Sequence, residues 1–147
     1  MTQPVLAAAI AHHFESVTLK RIDDIVDRYW PDGETYVFVE GPRWSTLGHQ
    51  RIAAGWRAFV GAPMQVRACT WVEGPQEQVV GDLGWIAGIV ELQVDVRGRA
   101  ISVRFRGTFV LRRSPDGAWR IVHEHFSQPA ADPYGIGDWL PAAPPPA

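Results

Sequence analysis

Trp119-Arg120-Ile121-Val122-His123-Glu124-His125-Phe126-Ser127 is the stretch on which the reading of this chain turns. It is rich in β-branched and aromatic residues and lies between two breakers, Ser114-Pro115-Asp116-Gly117 and Gln128-Pro129, so it reads as a strand. Unbroken alternation places Trp119, Ile121, His123, His125 and Ser127 on one face and Arg120, Val122, Glu124 and Phe126 on the other. Two histidines two residues apart then share a face, which suits proton transfer and metal ligation equally. A metal would need a third ligand, and Glu40, His49 and Asp82 are scattered in sequence. The plainer reading is a core histidine hydrogen-bonded to a carboxylate or carbonyl.

Working back from this strand, residues 64–72, 78–96 and 100–112 also read as strands, punctuated by Glu73-Gly74-Pro75 and Arg97-Gly98. The run 78–96 is too long to be straight, and Gly81, Gly84 and Gly88 mark expected bends or bulges. Further upstream, Val5, Leu6, Ala9, Ile10, His13, Phe14 and Val17 recur at helical spacing, and Ile22, Ile25, Val26 and Tyr29 form a second stripe that Pro31-Asp32-Gly33 ends. The sequence leaves open whether this is one kinked helix or two. A short β-run at 35–40 and a helix at 50–60 complete the order. Helices followed by long antiparallel strands describe an α+β domain with a strongly curved sheet wrapped around the helices.

Several residues are candidates for chemistry. Glu40 stands where the first strand meets Gly41-Pro42, and partial burial there would raise its pKa toward that of a general base. On strand 100–112, Arg104, Arg106 and Thr108 share a face; turned into the concave side, one guanidinium would hold a carboxylate or a developing enolate. Turned outward, they are solvated charges. The loop Pro42-Arg43-Trp44-Ser45 overhangs the expected cavity, with Trp44 as lid or wall. His12 and His13 are adjacent on a helix, cannot face one ligand together, and read as packing and surface. There is no nucleophile elbow, P-loop, dinucleotide fingerprint or zinc-protease motif, so acid/base chemistry is the more natural enzymatic expectation.

Composition sets the outer bounds. The chain has 147 residues, a length that fits one domain, and its net charge of −2 carries no basic field for nucleic acid. No apolar run approaches the length a bilayer needs, and the apolar stretch after Pro4 is short and lacks a basic start, which argues against export and a membrane. The single cysteine, Cys69, cannot form an internal bridge, which fits a reducing cytoplasm. Seven tryptophans point to a Trp-rich core or an apolar cavity, for which Trp44, Trp56 and Trp85 are candidate walls. The expected organisation is one domain over residues 1–128 and a Pro/Ala-rich extended tail over 129–147, to which Tyr134 and Trp139 at most dock back.

The helical start ending in Asp27-Arg28-Tyr29-Trp30-Pro31-Asp32, then Val37-Phe38-Val39-Glu40-Gly41, then Gly48 opening a helix with Trp56, resembles the nuclear-transport-factor-2-like (NTF2-like) superfamily. The close from Gly117 to Pro129 resembles its SnoaL-like branch, which includes ketosteroid isomerase homologues and the association domain of calcium/calmodulin-dependent kinase II. The resemblance implies a cone-shaped fold enclosing a pocket, a homodimer formed through the sheet, and a small-molecule ligand, with no cofactor required. Its members include isomerases, dehydratases, polyketide cyclases and non-catalytic oligomerisation hubs. In steroid isomerases a catalytic acid follows the first strand, where this chain has Glu40; their second acid falls near Arg106-Gly107-Thr108, which offers no carboxylate.

Two functions follow as expectations. The first is a cofactor-independent enzyme of isomerase, cyclase or dehydratase type acting on a small apolar or anionic substrate. In it Glu40 is the base, His123 or His125 the partner acid, Arg104 or Arg106 the anion stabiliser, and Tyr29, Trp44, Trp56 and Trp85 contact the substrate. The second is a non-catalytic ligand-binding or oligomerisation module on the same pocket.

Overall fold

The computed structural model describes residues 4–138. In chain order the elements are α1 (Val5–Thr18), α2 (Ile22–Asp27), β1 (Tyr36–Phe38), β2 (Thr46–Leu47), α3 (His49–Gly61), β3 (Met64–Val80), β4 (Leu83–Val96), β5 (Arg99–Arg113) and β6 (Trp119–Ser127). The strands form one curved, unclosed sheet in the order β2-β1-β6-β5-β4-β3, antiparallel except for the parallel pair β1–β6. The helices lie against its concave side, where Leu6, Ile10, Ile25, Ile86, Leu111 and Ile121 are sealed from solvent.

The N-terminal helical region is two helices. Lys20 adopts a left-handed conformation between them, and its Nζ donates to the carbonyls of Val60 and Ala62 at the end of α3. Pro4 fits the start of α1 but offers no side-chain acceptor for the first free amides. Glu77 of β3 supplies it: its carboxylate accepts from the backbone N–H of Leu6 at 3.1 Å and of Ala7 at 2.8 Å. A negative group at the positive end of the helix dipole thus ties α1 to the sheet edge.

Two strand boundaries differ from the sequence reading. Glu73-Gly74-Pro75, expected to be a turn, lies inside β3 as a bulge, with Gly74 and Pro75 together opposite Gly88. The turn falls instead at Gly81-Asp82, inside the expected strand 78–96, where Gly81 takes a positive φ of 61°. A turn signal and a bulge signal share the same residue types, and the ladder to β4 decides between them. At the bulge the two strands approach so closely that a Cβ on Gly88 would lie 2.4 Å from the Glu73 carbonyl oxygen.

A second bulge decides the faces of the sheet. On β6, His123 pairs with Val110 and Ile121 pairs with Leu111, which leaves Val122 as an extra residue. Trp119 and Ile121 face the core as alternation requires, but past Val122 the parity reverses: Glu124 is buried, and His123 and His125 turn to the outer face. The placement of both histidines on the face of Trp119 and Ile121 is thereby corrected. Residues 129–138 form no helix or strand, and Tyr134 is exposed there; the expectation for Trp139 lies outside the described residues.

The close approach at Gly88 gives a stability test. Gly88→Ala is expected to lower stability by about 1–3 kcal/mol, as overpacking does. Gly55→Ala, in the interior of α3 where an added Cβ meets nothing within 4 Å, is expected to raise it by about 0.5–1 kcal/mol. Urea titration of both variants beside the parent checks the pair.

Candidate active site

The concave face, α1 and α3 line an open-mouthed cavity of about 420 Å³. Phe14 and Val17 come from α1, Val37 and Val39 from β1 and its continuation, Ile52, Trp56 and Phe59 from α3, Phe109 from β5 and Phe126 from β6. Into this apolar box project the polar side chains of His13, Thr46 and Glu124, with Glu40, Arg43 and Arg51 at the rim.

Glu124 is the deepest carboxyl, 4% exposed, and burial raises its pKa to about 7. Tyr29 donates its hydroxyl to Glu124 Oε1 at 2.5 Å. The tyrosine is set by backbone bonding at the sheet: Ile121 N–H donates to Arg28 O at 2.7 Å and Trp30 N–H to Ile121 O at 2.8 Å. Residues 28–30 therefore run as a short extra edge along β6 and aim the phenol at the inward carboxyl. Burial, then the neighbouring carboxylate, holds the Tyr29 hydroxyl well above its usual pKa, so it stays a donor. The hydrogen bond it gives lowers the Glu124 pKa from where burial alone would put it, while the charge of Glu40 raises it.

Glu40 follows the end of β1, where Gly41 takes a φ of 112° and the chain leaves strand geometry. The residue is open to solvent on one side, yet protein atoms crowd its carboxyl on the cavity side, and this partial desolvation raises its pKa. The two carboxyls thus occupy unlike settings, one wet and one dry. Cys69 also lines the wall; burial pushes its thiol up to about 12, so it stays neutral and is no nucleophile.

His13 is the residue the sequence reading missed. It is 2% exposed, packs edge-on against Tyr29, Trp56 and Phe109 at ring distances of 5.7, 5.9 and 6.1 Å, and its Nδ1 has no hydrogen-bond partner. Burial, helped by the charge of Arg28, lowers its pKa to about 3, so the ring is neutral. Its place on the stripe of Ile10, Phe14 and Val17 was the available signal. Glu124 was missed for a different reason: it carries the right chemistry but stood on the wrong face until the bulge was known.

The other expected site residues are distributed as follows. Glu40 and Trp56 line the cavity, and Tyr29 lies behind its wall, bonded to Glu124 and 6.4 Å from the Trp56 ring. His123 and His125 lie outside it, against the ring of Phe38 at 5.2 Å each, and His123 Nδ1 donates to Tyr36 O. Arg104 and Arg106 also face outward, because inward positions on β5 go to Phe105, Gly107 and Phe109; Arg104 pairs with Glu91 and Arg106 donates to Ser127 and Gln128. Trp44 is 95% exposed and Trp85, opposite Val110 on the outer face, is 39% exposed, so neither walls the cavity. Beyond Glu40 a larger hollow of about 660 Å³ lies beside Phe38, Trp44 and His125, but the titratable side chains that line it, Tyr36, Glu40 and His125, are all exposed. Among the described residues no three His, Cys, Asp or Glu side chains gather as a metal site, and no helix is long and apolar enough to cross a membrane.

Helices packed on the concave side of a curved, unclosed six-stranded sheet are the architecture of the NTF2-like superfamily. Residues 7–131 match the SnoaL-like domain model, and the chain belongs to that family. Similar solved structures include an NTF2-like superfamily protein from Salmonella enterica serovar Typhimurium, with 22% identity, a TM-score of 0.76 and coverage of 90% of this chain and 94% of that one. A candidate calcium/calmodulin-dependent kinase II association domain from Xanthomonas campestris has 19% identity and a TM-score of 0.72, covering 86% and 87%. A ketosteroid isomerase-like protein from Erwinia carotovora atroseptica has 17% identity and a TM-score of 0.69, covering 85% and 95%. These likenesses establish the fold. No curated protein matches the chain.

The two buried groups make opposite contributions to stability. Glu124, raised from 4.5 to about 7, keeps its proton in the fold, so stability falls by about 3 kcal/mol as pH climbs through that window. His13, lowered from 6.5 to about 3, resists protonation, so its contribution is present above 6.5 and is lost as pH falls below it. Between 4.5 and 6.5 the slopes oppose. Urea midpoints measured across that range are expected to rise with pH in Glu124→Gln and to fall with pH in His13→Leu, with the parent flatter than either.

Proposed function

We propose that this protein is a cofactor-independent acid/base enzyme of isomerase, cyclase or dehydratase type, working on a small molecule held in the cavity. The observation that carries the reading is the pair of unlike carboxyls: Glu40 at the wet rim and Glu124 dry beneath it, with Tyr29 donating to the latter. Desolvation raises both, but one stands in contact with water and the other does not, and two acids in such unlike surroundings can divide the labour of proton transfer. Glu40, at the water-exposed rim, takes a proton from carbon next to a carbonyl. Glu124 holds its proton on Oε2, because Oε1 accepts from Tyr29, and gives a hydrogen bond or the proton itself to the substrate oxygen. The electron pair left on carbon moves into the enol, whose oxygen carries the new proton or hydrogen bond. Return of the Glu40 proton to another carbon, with the oxygen giving back any proton it took from Glu124 as the carbonyl re-forms, completes an isomerisation. Delivery of the Glu40 proton to a β-hydroxyl, which leaves as water while the enol collapses to the enone and re-protonates Glu124, completes a dehydration. The second acid therefore comes from β6, not from the β5 positions where steroid isomerases keep theirs.

The solved neighbours include a ketosteroid isomerase-like protein and a candidate dehydratase from Streptomyces avermitilis, which supports this class of chemistry. The likeness to the candidate kinase association domain favours the second reading, a binding or assembly module. A homodimer through the outer sheet face, where Tyr36, Phe38, His123 and His125 cluster, is compatible with both. The lone neutral cysteine fits a reducing cytoplasm.

Exchange of carbon-bound hydrogen in D2O, followed by NMR over cyclic enones and β-hydroxy ketones, tests the reading without a named substrate. Glu40→Gln and Glu124→Gln are each expected to cut exchange by about 10²–10⁴-fold. Activity is expected to fall above about pH 7 as Glu124 ionises. Tyr29→Phe removes a hydrogen bond that lowers the Glu124 pKa, so that alkaline limb should move upward. Tight binding with no exchange, in an assembly larger than a dimer by light scattering, would favour the module.

A further inference from the structure

The cavity is unequal end to end. Its inner end holds His13 and Glu124, with Tyr29 behind the carboxyl it donates to, and none of the three carries charge in the protonation states argued above. Its mouth carries Arg43, on the loop after β1, and Arg51, in the first turn of α3. Among the described residues neither arginine makes an ion pair or a side-chain hydrogen bond, whereas Arg67, Arg104 and Arg113 are matched to Asp95, Glu91 and Asp82. Between the two ends the walls are aromatic and aliphatic. At the closed end the buried Nδ1 of His13 has no partner within the protein.

From this arrangement we infer that the substrate class is a small amphipathic anion. A ring-containing apolar body fills the cavity, a carbonyl or hydroxyl oxygen reaches the His13–Glu124 end, and a carboxylate or comparable anionic group stays at the mouth between Arg43 and Arg51. The planar guanidinium fork suits two-point contact with such a group, and the exposed setting makes the attraction salt-sensitive. The single charge of Glu40 opposes an anion at the rim but is outnumbered there by the two arginines. The expected Arg104 and Arg106 anion site on the outer face is thus replaced by one on the loop and α3. This inference rests on the cavity being the substrate site and not on turnover.

A matched pair of fluorescent probes tests it: 8-anilinonaphthalene-1-sulfonate, and N-phenyl-1-naphthylamine, which has the same rings without the sulfonate. At low ionic strength the double variant Arg43→Gln/Arg51→Gln is expected to weaken sulfonate binding about tenfold while changing the neutral probe less than about twofold. Gly55→Phe, whose side chain enters open space on the cavity-facing side of α3, is expected to weaken both probes. Equal loss of both probes in the arginine variant, or no loss of either, would overturn the inference. So would sulfonate binding that Gly55→Phe leaves intact, since the anion would then sit elsewhere. Failure of the catalytic reading looks different: the arginine-dependent preference survives, but no hydrogen exchange accompanies it.

Discussion

One residue in excess on β6 governs what this molecule can do. Because Val122 has no partner on β5, the strand changes parity halfway along its length. Its first half presents Trp119 and Ile121 to the packing beneath the helices, and its second half presents Glu124 and Phe126 to the cavity. Without the bulge an imidazole would point inward at 123 and 125, and a carboxylate would point to solvent. The parallel strand β1 follows the same switch. Val37, beside Glu124, turns in, and Tyr36 and Phe38, beside the two histidines, turn out. On β1 and β6 the division between a side facing the cavity and a side bearing aromatic and imidazole rings outward follows from a single extra residue.

An apolar cavity can hold polar groups only if their charge is suppressed or matched. Here suppression is the solution used, and it acts in both directions. Glu124 keeps a proton that an exposed glutamate would lose, and His13 refuses one that an exposed histidine would take. The interior is therefore close to neutral while retaining a donor, an acceptor and a phenol within one set of aromatic walls. Charge is kept at the rim, on Glu40, Arg43 and Arg51, where water is available to it.

Much of the fold was legible because it rests on periodicity and punctuation. The stripe through Leu6, Ile10, Phe14 and Val17, the helix carrying Ile52, Trp56 and Phe59, and the order of helices before strands are local patterns, and the packing uses them unchanged. Of the cavity's lining, the sequence exposed Glu40, at an element end, and Trp56, on a helical stripe, because those positions follow from local pattern alone. Bulges are properties of a pair of strands. Nothing within 119–127 marks Val122 as surplus, since the surplus exists only against Val110 and Leu111. The same holds for Glu73-Gly74-Pro75, whose residues permit a turn and whose partners on β4 make it a bulge. Arg104 and Arg106 were misassigned by a choice of face that alternation leaves open; their partners Glu91 and Ser127 settle it.

The two margins of the sheet are unlike, and both are poor templates. At one margin β2 has only two residues, Thr46 and Leu47. At the other, β3 is long but broken by three irregularities in its pairing, and the carboxylate of Glu77 is engaged by α1. Short, kinked margins deny an incoming chain the straight row of amides and carbonyls that strand-to-strand growth requires. Among the described residues the curved sheet thus ends at six strands, and its short and kinked margins resist strand-to-strand, fibrous growth.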